Sequence, residues 1–169
     1  SIRRLKNNII YQYGDVPPKS IAITSPEKGD GKSTIAANLG IAFAEEWYKT
    51  VLIGADFRRP QIGKYFGLTI KEGLSDYLEG NLAFERLIHE TDQKNVHVIE
   101  AGYNPQNPEV LGSSLLFRQL LKKMEEIYDV IIIDTPPFGI ISDSTAILKN
   151  AEATIVVAKY RKTNKGMLR

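Results

Sequence analysis

Ile-Ala-Ile-Thr-Ser-Pro-Glu-Lys-Gly-Asp-Gly-Lys-Ser-Thr, at residues 21–34, is the stretch that decides the fold. It begins as an apolar strand, continues through a loop rich in turn residues and ends in Gly-Lys-Ser-Thr. The next residues, 35–44, are small and apolar at helical spacing. A strand, a loop and a helix in this order form the context of a phosphate-binding loop, or P-loop.

The residue types in this loop suit phosphate chemistry. Backbone N–H groups can converge on phosphate oxygens only where side chains are small, and Gly29 and Gly31 provide that room. Lys32 can then place its charge on the β- and γ-phosphates, and the Ser33 hydroxyl can ligate Mg²⁺. The pattern G-x-x-x-x-G-K-[ST] is not met in full, because Pro26 stands five positions before Gly31. The predicted nucleotide-binding set is Lys28, Gly29, Asp30, Gly31, Lys32, Ser33 and Thr34.

Composition favours one domain over residues 1–169, because the chain is 43% hydrophobic and long enough for one core. The formal charge of +2 does not favour nucleic acid as a partner. The absence of cysteine excludes a disulfide framework and a thiolate metal site. No apolar run approaches the length of a membrane span. Since the chain begins at Ser1 and stops after a strand-like segment, we expect it to be a fragment of a longer protein.

Strands and helices alternate in the hydrophobic pattern. Strands are predicted at 19–24, 50–53, 96–99, 129–134 and 153–158. Helices are predicted at 1–13, from the P-loop to about 47, and at 73–79, 81–89, 107–128 and about 143–149. This alternation predicts an α/β fold of the three-layer P-loop type, a mostly parallel sheet flanked by helices. Its ligand site is expected at the carboxyl ends of the strands, where Lys32, Asp56 and Asp134 lie.

Two of these helices have a clear apolar face. The first places Ile2, Leu5 and Ile9 together, with Arg3, Arg4 and Lys6 elsewhere. The long helix begins with Asn107, Pro108 and Glu109, which suit a cap and a first turn. Its expected core stripe is Val110, Ser114, Phe117, Leu121, Met124 and Tyr128. The two histidines, His89 and His97, fit no metal-ligand pattern and are interpreted as structural.

Two carboxylates are candidates for the site. Asp134 ends the clearest strand, and a P-loop site needs a second carboxylate near Mg²⁺. Asp56 follows another strand, and its neighbours Arg58 and Arg59 suit an anionic ligand. Taken alone, either aspartate could instead be a helix cap or a turn residue.

Together these segments resemble the bacterial tyrosine autokinases (BY-kinases) of capsule and exopolysaccharide export. Residues 25–34 are similar to the family's Walker A motif, 51–60 to its Walker A′ and 131–137 to its Walker B. The segment 105–108 is also similar. Residues 3–9 resemble the end of the oligomerising motif E-x-x-R-x-x-R, with Arg3 and Lys6 at its two arginine positions.

The resemblance implies a protein-tyrosine kinase that binds Mg-ATP at the cytoplasmic face of the bacterial membrane. It implies that the kinase phosphorylates tyrosines of its own C-terminal tail in trans, within a ring formed through the N-terminal basic helix. It also implies a membrane-spanning activator, fused or separate. The implied catalytic residues are Lys32, Asp56, Arg58 and Asp134, and the implied metal ligands are Ser33, Asp56 and Asp134.

Two features depart from the family pattern. The Walker A′ motif is usually D-x-D-x-R, but Gly54 stands at the first acid. A tyrosine-rich tail is absent, since the last tyrosine is Tyr160 and the other seven are scattered. Among these, Tyr65 and Tyr128 are expected to have packing roles.

Two alternatives remain open from the sequence. One is a regulatory ATPase of the partitioning and division-site type, which shares the fold and switches dimerisation with ATP. Its Walker A carries a signature lysine near the loop start, where this chain has Glu27, with Lys28 one place late. The other is an inactive nucleotide-binding interaction module, which Gly54 would suit.

Overall fold

A single six-stranded sheet forms the centre of the protein. The computed structural model describes residues 1–27, 31–103, 105–138 and 144–158. The strands are β1 (Ser20–Thr24), β2 (Thr50–Gly54), β3 (His89–Glu90), β4 (Val96–Ile99), β5 (Val130–Asp134) and β6 (Ala153–Val156). Their order across the sheet is β3-β4-β2-β5-β1-β6, and only β3 runs antiparallel to its neighbour. The predicted mostly parallel sheet is confirmed.

Helices cover both faces of this sheet. They are α1 (Ile2–Gln12), α2 (Lys32–Glu45), α3 (Leu74–Leu78), α4 (Pro108–Leu111), α5 (Leu115–Ile127) and α6 (Thr145–Asn150), with 3₁₀ turns at Gly63–Phe66 and Phe84–Arg86. Helices α1 and α2 pack on one face, and α3 to α6 contribute to the core on the other. The layers are those predicted for an α/β fold. Among the described residues, no helix is both long and apolar enough to cross a membrane.

Alternation along the strands decides which side chains reach the α2 face. Leu52 of β2, Val98 of β4 and Ile132 of β5 belong to the core cluster on that face. Two positions further along each chain, at the carboxyl edge, are Gly54, Glu100 and Asp134. Gly54 is paired with Asp134, and Ile53 with Ile99, so the three residues follow one another across neighbouring strands. Because side chains alternate with period two, all three lie on the α2 face.

The prediction of a single long helix at 107–128 is wrong. The chain forms α4, then a break at Gly112 and Ser113, then α5. Glycine and serine are poor helix formers, and the Ser114 hydroxyl accepts a hydrogen bond from the Phe117 N–H at 3.1 Å, which starts the second helix. Val110, expected in the core, is 52% exposed. The rest of the apolar stripe is buried as predicted, at Phe117, Leu121, Met124 and Tyr128.

The helix predicted at 81–89 is also wrong. The segment forms only the 3₁₀ turn Phe84–Arg86 and then the short edge strand β3. His89 pairs with Val98 and Glu90 with His97, so backbone bonding to β4 replaces helical bonding. The start expected for the last helix, at Asp143, lies outside the described residues, as does Tyr160.

The apolar face of α1 is confirmed, but Lys6 does not lie away from it. Ile9 is buried in the core, and Ile2 and Leu5 pack against it. Lys6 is buried as well, and its ammonium group donates to Glu46, just after α2, at 2.6 Å. Arg3 stays exposed. The lysine predicted to face a neighbouring subunit is therefore engaged within its own chain.

Candidate active site

Lys32, Ser33 and Asp134 meet at the carboxyl edge of the sheet. Lys32 and Ser33 begin α2, which the P-loop joins to β1, and Asp134 ends β5. The Lys32 ammonium group lies 2.5 Å from Oδ1 of Asp134, and the Ser33 hydroxyl donates to Oδ2 at 2.7 Å. Lys32 and Asp134 are both buried. Two motifs about 100 positions apart in sequence thus form one polar cluster.

Burial and neighbouring groups shift the pKa of the Asp134 carboxyl in opposite directions. Burial raises the pKa of Asp134 above its usual value, and the nearby Asp56 adds to the rise. The Lys32 charge and the hydrogen bonds from Lys32 and Ser33 oppose it. We assign the ionised form when Lys32 is bonded to it, because a buried cation needs a counter-charge. Asp134 therefore depends on Lys32, or on another cation, to hold its charge.

The start of α2 is built to receive an anion. Gly31 adopts the left-handed conformation, with φ of 77°, which only glycine takes without strain. No side chain caps the helix among the described residues, so the first N–H groups of this 14-residue helix are available to a ligand. Those groups and the helix dipole together favour phosphate at this position.

Asp56 and Arg58 lie at the end of β2, on the same edge. Both oxygens of Asp56 accept from the Arg58 guanidinium, at 3.1 Å each. The Lys32 ammonium group is 4.0 Å from Oδ2 of Asp56. Asp56 is thus brought to the cluster as predicted, while Arg58 is engaged in holding Asp56.

These groups surround an open cavity of about 240 Å³. Its lining consists of Gly31, Lys32, Ser33, Thr34, Asp56, Arg59, Gln61 and Pro137. Arg59 and Gln61 were not among the predicted site residues. The adjacent guanidinium groups in the sequence indicated an anion site, but only the turn after β2 decides that Arg59, not Arg58, faces the cavity.

The predicted nucleotide-binding set is described only from Gly31 onward. Lys28, Gly29 and Asp30 lie outside the described residues, so their predicted contacts with phosphate stay predictions. Gly31, Lys32, Ser33 and Thr34 line the cavity as the P-loop prediction requires.

Comparison with known proteins agrees with this geometry. A family model described as "AAA domain" matches residues 18–168. The putative tyrosine-protein kinase CapB of Staphylococcus aureus is 32% identical over 163 residues, which are 96% of this chain and 72% of that protein. The chain belongs to the bacterial tyrosine-kinase family. The family and the tyrosine-kinase function predicted from the sequence are confirmed at this level.

Two further comparisons show how much of each chain is covered by the match. The tyrosine-protein kinase ptk of Acinetobacter johnsonii is 35% identical over 96% of this chain, which spans 22% of that protein. The solved chimerical protein CapA2B2 has a TM-score of 0.90 and 34% identity, covering 99% of this chain and 74% of that one.

The alternative ATPase class shares the fold at a greater distance. The septum site-determining protein MinD of Pyrococcus horikoshii, solved with Mg-ADP, has a TM-score of 0.71 and 25% identity, covering 82% of this chain and 57% of that one. Fold and sequence both place the chain nearer to the tyrosine kinases.

Proposed function

We propose that this chain binds Mg-ATP in the cavity at the start of α2 and transfers the γ-phosphoryl group to tyrosine. The observation that carries the proposal is the cluster of Lys32, Ser33 and Asp134, with Asp56 4.0 Å from the lysine. An ammonium group, a hydroxyl and two carboxylates at a helix N-terminus are the groups that a P-loop kinase needs.

Lys32 changes partner when the nucleotide binds. In the structure its ammonium group neutralises Asp134. The β- and γ-phosphates carry more charge than one carboxylate and can also accept from the free N–H groups of α2. Lys32 would then turn to the phosphates. The N–H groups of Ser33 and Thr34 would complete the phosphate cradle, and Arg59, which also lines the cavity, would add positive charge there.

The oxygen atoms grouped around Lys32 fit Mg²⁺. Ser33, Asp56 and Asp134 offer a hydroxyl and two carboxylates, the hard ligands that this ion takes in phosphate sites. Ser33 and Asp56 would hold the ion, with Asp134 bonded to Ser33 and acting through water. When bound, Mg²⁺ neutralises charge on the β- and γ-oxygens. Arg58 keeps Asp56 oriented through its two hydrogen bonds.

The transfer itself forms a bond between the tyrosine oxygen and the γ-phosphorus and breaks the bond from that phosphorus to the β–γ bridging oxygen. ADP leaves with the bridging electrons, and the hydroxyl proton passes to solvent. A largely dissociative transition state requires little help from a base. Positioning by the cavity walls is therefore sufficient for activity without an acid at position 54.

Family membership supports a further proposal about the setting of the reaction. We extend the proposal to acceptor tyrosines in a C-terminal tail of the whole protein, phosphorylated in trans within a homo-oligomer. We place the domain at the cytoplasmic face of the bacterial membrane, under a fused or separate membrane-spanning activator. Its role would be to regulate capsule or exopolysaccharide polymerisation and export.

The test is phosphotyrosine formation by the whole protein supplied with Mg-ATP, with ATP-dependent dimerisation followed in parallel. Phosphotyrosine that depends on Mg²⁺ supports the kinase. Dimerisation driven by ATP without phosphotyrosine would favour the regulatory ATPase, and nucleotide binding with neither would favour an inactive module.

A further inference from the structure

A third carboxylate is buried beside the site without a role in the proposed chemistry. Glu100 directly follows β4 and is 3% exposed. Its Oε2 accepts from the Gly63 N–H at 2.8 Å, and its Oε1 accepts from the Ala101 N–H at 3.0 Å. Both oxygens are therefore bonded to backbone.

Two glycines make room for this carboxylate. A β-carbon built on Gly54 would lie 3.1 Å from Oε1 of Glu100 and 3.0 Å from the Ala101 nitrogen. A β-carbon on Gly63 would lie 2.9 Å from Oε2. Gly54 is also the position at which the Walker A′ resemblance leads us to expect an acid. The space that this acid's side chain would enter is thus bordered by the carboxylate of Glu100.

Strand register explains why the Glu100 carboxylate reaches the space beside position 54. Gly54 lies between Asp134, which ends β5, and Glu100, which directly follows β4, and all three positions are on the α2 face of the sheet. A carboxylate delivered from β4 crosses only one strand spacing, about 4.8 Å, to reach the position of a side chain on β2. The edge therefore keeps a carboxylate near position 54, but attached to a neighbouring strand.

We propose that Glu100, whose carboxylate borders position 54, is a positioning residue for the nucleotide site that holds the loop following β2. This loop, residues 55–62, carries Asp56, Arg59 and Gln61. Its start is fixed by the Ala55 N–H, which donates to the Asp134 carbonyl at 2.8 Å. Its end is fixed by the bond from the Gly63 N–H to Glu100. Without that second bond, Asp56 loses one of the two anchors that flank it.

Glu100 acts through the loop and not on the ligand. It does not belong to the lining of the cavity, and each of its oxygens already accepts a backbone N–H. Because Asp56 is the loop's proposed metal ligand, this inference rests on the proposed function. Its specific consequence is that Glu100 controls the contribution of Mg²⁺ to nucleotide binding.

The experiment measures ADP affinity by calorimetry with and without Mg²⁺. We expect Glu100→Ala to weaken Mg-ADP binding about 10–100-fold, the range for groups that orient metal ligands, and to change metal-free ADP binding much less. Glu100→Gln keeps one acceptor oxygen, so its loss should be intermediate. Asp129→Ala is the matched control, because that carboxylate also accepts a backbone N–H, from Lys49 at 2.8 Å, but at the opposite end of the sheet. It should lower the melting temperature and leave the ratio of the two affinities unchanged.

A second arm exchanges the position of the acid. Gly54→Asp alone should weaken Mg-ADP binding and lower the melting temperature, because two carboxylates would compete for one space. Gly54→Asp combined with Glu100→Ala should recover Mg-ADP binding at least tenfold relative to Gly54→Asp. This recovery does not depend on whether Glu100→Ala folds by itself.

Two results would overturn the inference. One is a folded Glu100→Ala or Glu100→Gln protein with the native ratio of Mg-ADP to ADP affinity. The other is a double variant that binds no better than Gly54→Asp. If the native protein binds Mg-ADP but makes no phosphotyrosine, the kinase proposal fails and the role of Glu100 stands. If it binds no nucleotide, both fail together.

Discussion

Lys6 and Glu46 tie the first two helices together through a bond of 2.6 Å. The lysine side chain is 6% exposed and the glutamate side chain 46%. Lys6, at a position that resembles the second arginine of the oligomerising motif, is thus part of the internal packing of α1 against α2. This changes how the N-terminal helix must be tested.

Reversing Lys6 should destabilise the protein's own fold. Lys6→Glu places two carboxylates together where one charged hydrogen bond existed, so we expect a loss of about 1.5–3 kcal/mol in the free energy of unfolding. The combined Lys6→Glu, Glu46→Lys exchange should recover part of it. Urea denaturation measures both. An unchanged midpoint for Lys6→Glu would show that the bond contributes nothing.

Arg3 is the residue that tests assembly, because it is exposed. If the N-terminal helix forms the ring, Arg3→Glu should shift sedimentation of the whole protein toward the monomer, with stability and ADP affinity unchanged. A single surface charge is weak, so a clear shift requires the contact to be repeated around a ring. Native sedimentation of Arg3→Glu would exclude this helix face as the contact.

Removing the Lys32 charge should abolish phosphoryl transfer. Lys32→Met leaves the phosphates facing only backbone donors, and we expect the rate to fall about 10²-fold or more, as when one donor to a developing anion is lost. ATP turnover and phosphotyrosine are measured alongside circular dichroism. Lys122→Met, on the exposed face of α5, is the control. A folded Lys32→Met protein with native activity would contradict the P-loop assignment.

Asp56→Asn should nearly abolish Mg²⁺-dependent activity. The amide keeps the shape of the side chain and one acceptor for Arg58, but it loses the charge proposed to hold the ion. We therefore expect transfer to fall about 10²-fold with metal-free ADP binding intact. Asp92→Asn, in an exposed turn, is the matched control. An active Asp56→Asn protein would contradict the proposed role of Asp56 as a metal ligand and would leave it as a turn residue.

This chain should carry little phosphotyrosine compared with the whole protein. Tyr128 is buried and bonded to His97, as its expected packing role requires. Tyr65 fits its expected packing role only in part, since it is 44% exposed, although its ring contacts that of Phe66 and its hydroxyl donates to Asn38 at 3.2 Å. Tyr11, at 80%, is the most exposed of the described tyrosines. Mass spectrometry after incubation with Mg-ATP should find trace modification, at Tyr11 first. Heavy labelling of this chain would contradict tail acceptors.

Stability should fall as the solution becomes acidic, because of His97. Burial lowers its pKa below 6.5, against the opposing effect of Glu90, and its Nδ1 lies 2.7 Å from the Tyr128 hydroxyl. The unfolded chain therefore binds the proton more readily, so this contribution is present above pH 6.5 and is lost as pH falls through the folded pKa. His97→Phe should reduce the fall in the free energy of unfolding between pH 7 and 5, measured by urea titration at each pH. An unchanged slope would contradict it.

Tyr128, the partner of His97, should make the protein less stable at alkaline pH. Burial raises the pKa of Tyr128 to about 12, with Glu90 adding to the rise. The folded state thus holds the phenol proton, and this contribution is lost as pH rises from 10 toward 12. Tyr128→Phe should remove that part of the alkaline loss, measured by thermal unfolding from pH 9 to 11.

Local patterns in the sequence determined the five parallel strands, the P-loop and the helix after it. The run 129–134 and the Gly-Lys-Ser-Thr signal depend on residues adjacent in the chain, so their physics is local. Lys32, Asp56 and Asp134 were predictable for the same reason, because each ends a recognisable strand or loop. The errors at 81–89 and 107–128 came where pairing with β4 and a serine cap outweighed helical periodicity.

Tertiary structure alone decided how the carboxylates at the edge are arranged. In the sequence Gly54 is a missing acid and Glu100 an unremarked residue after a strand. Parallel register places them side by side, and the glycine's lack of a β-carbon leaves space for the glutamate. Likewise, only the packing of α1 on α2 buries Lys6 against Glu46. Sequence determines which groups are present at each strand end, but distances between strands depend on register and packing, which no local pattern contains.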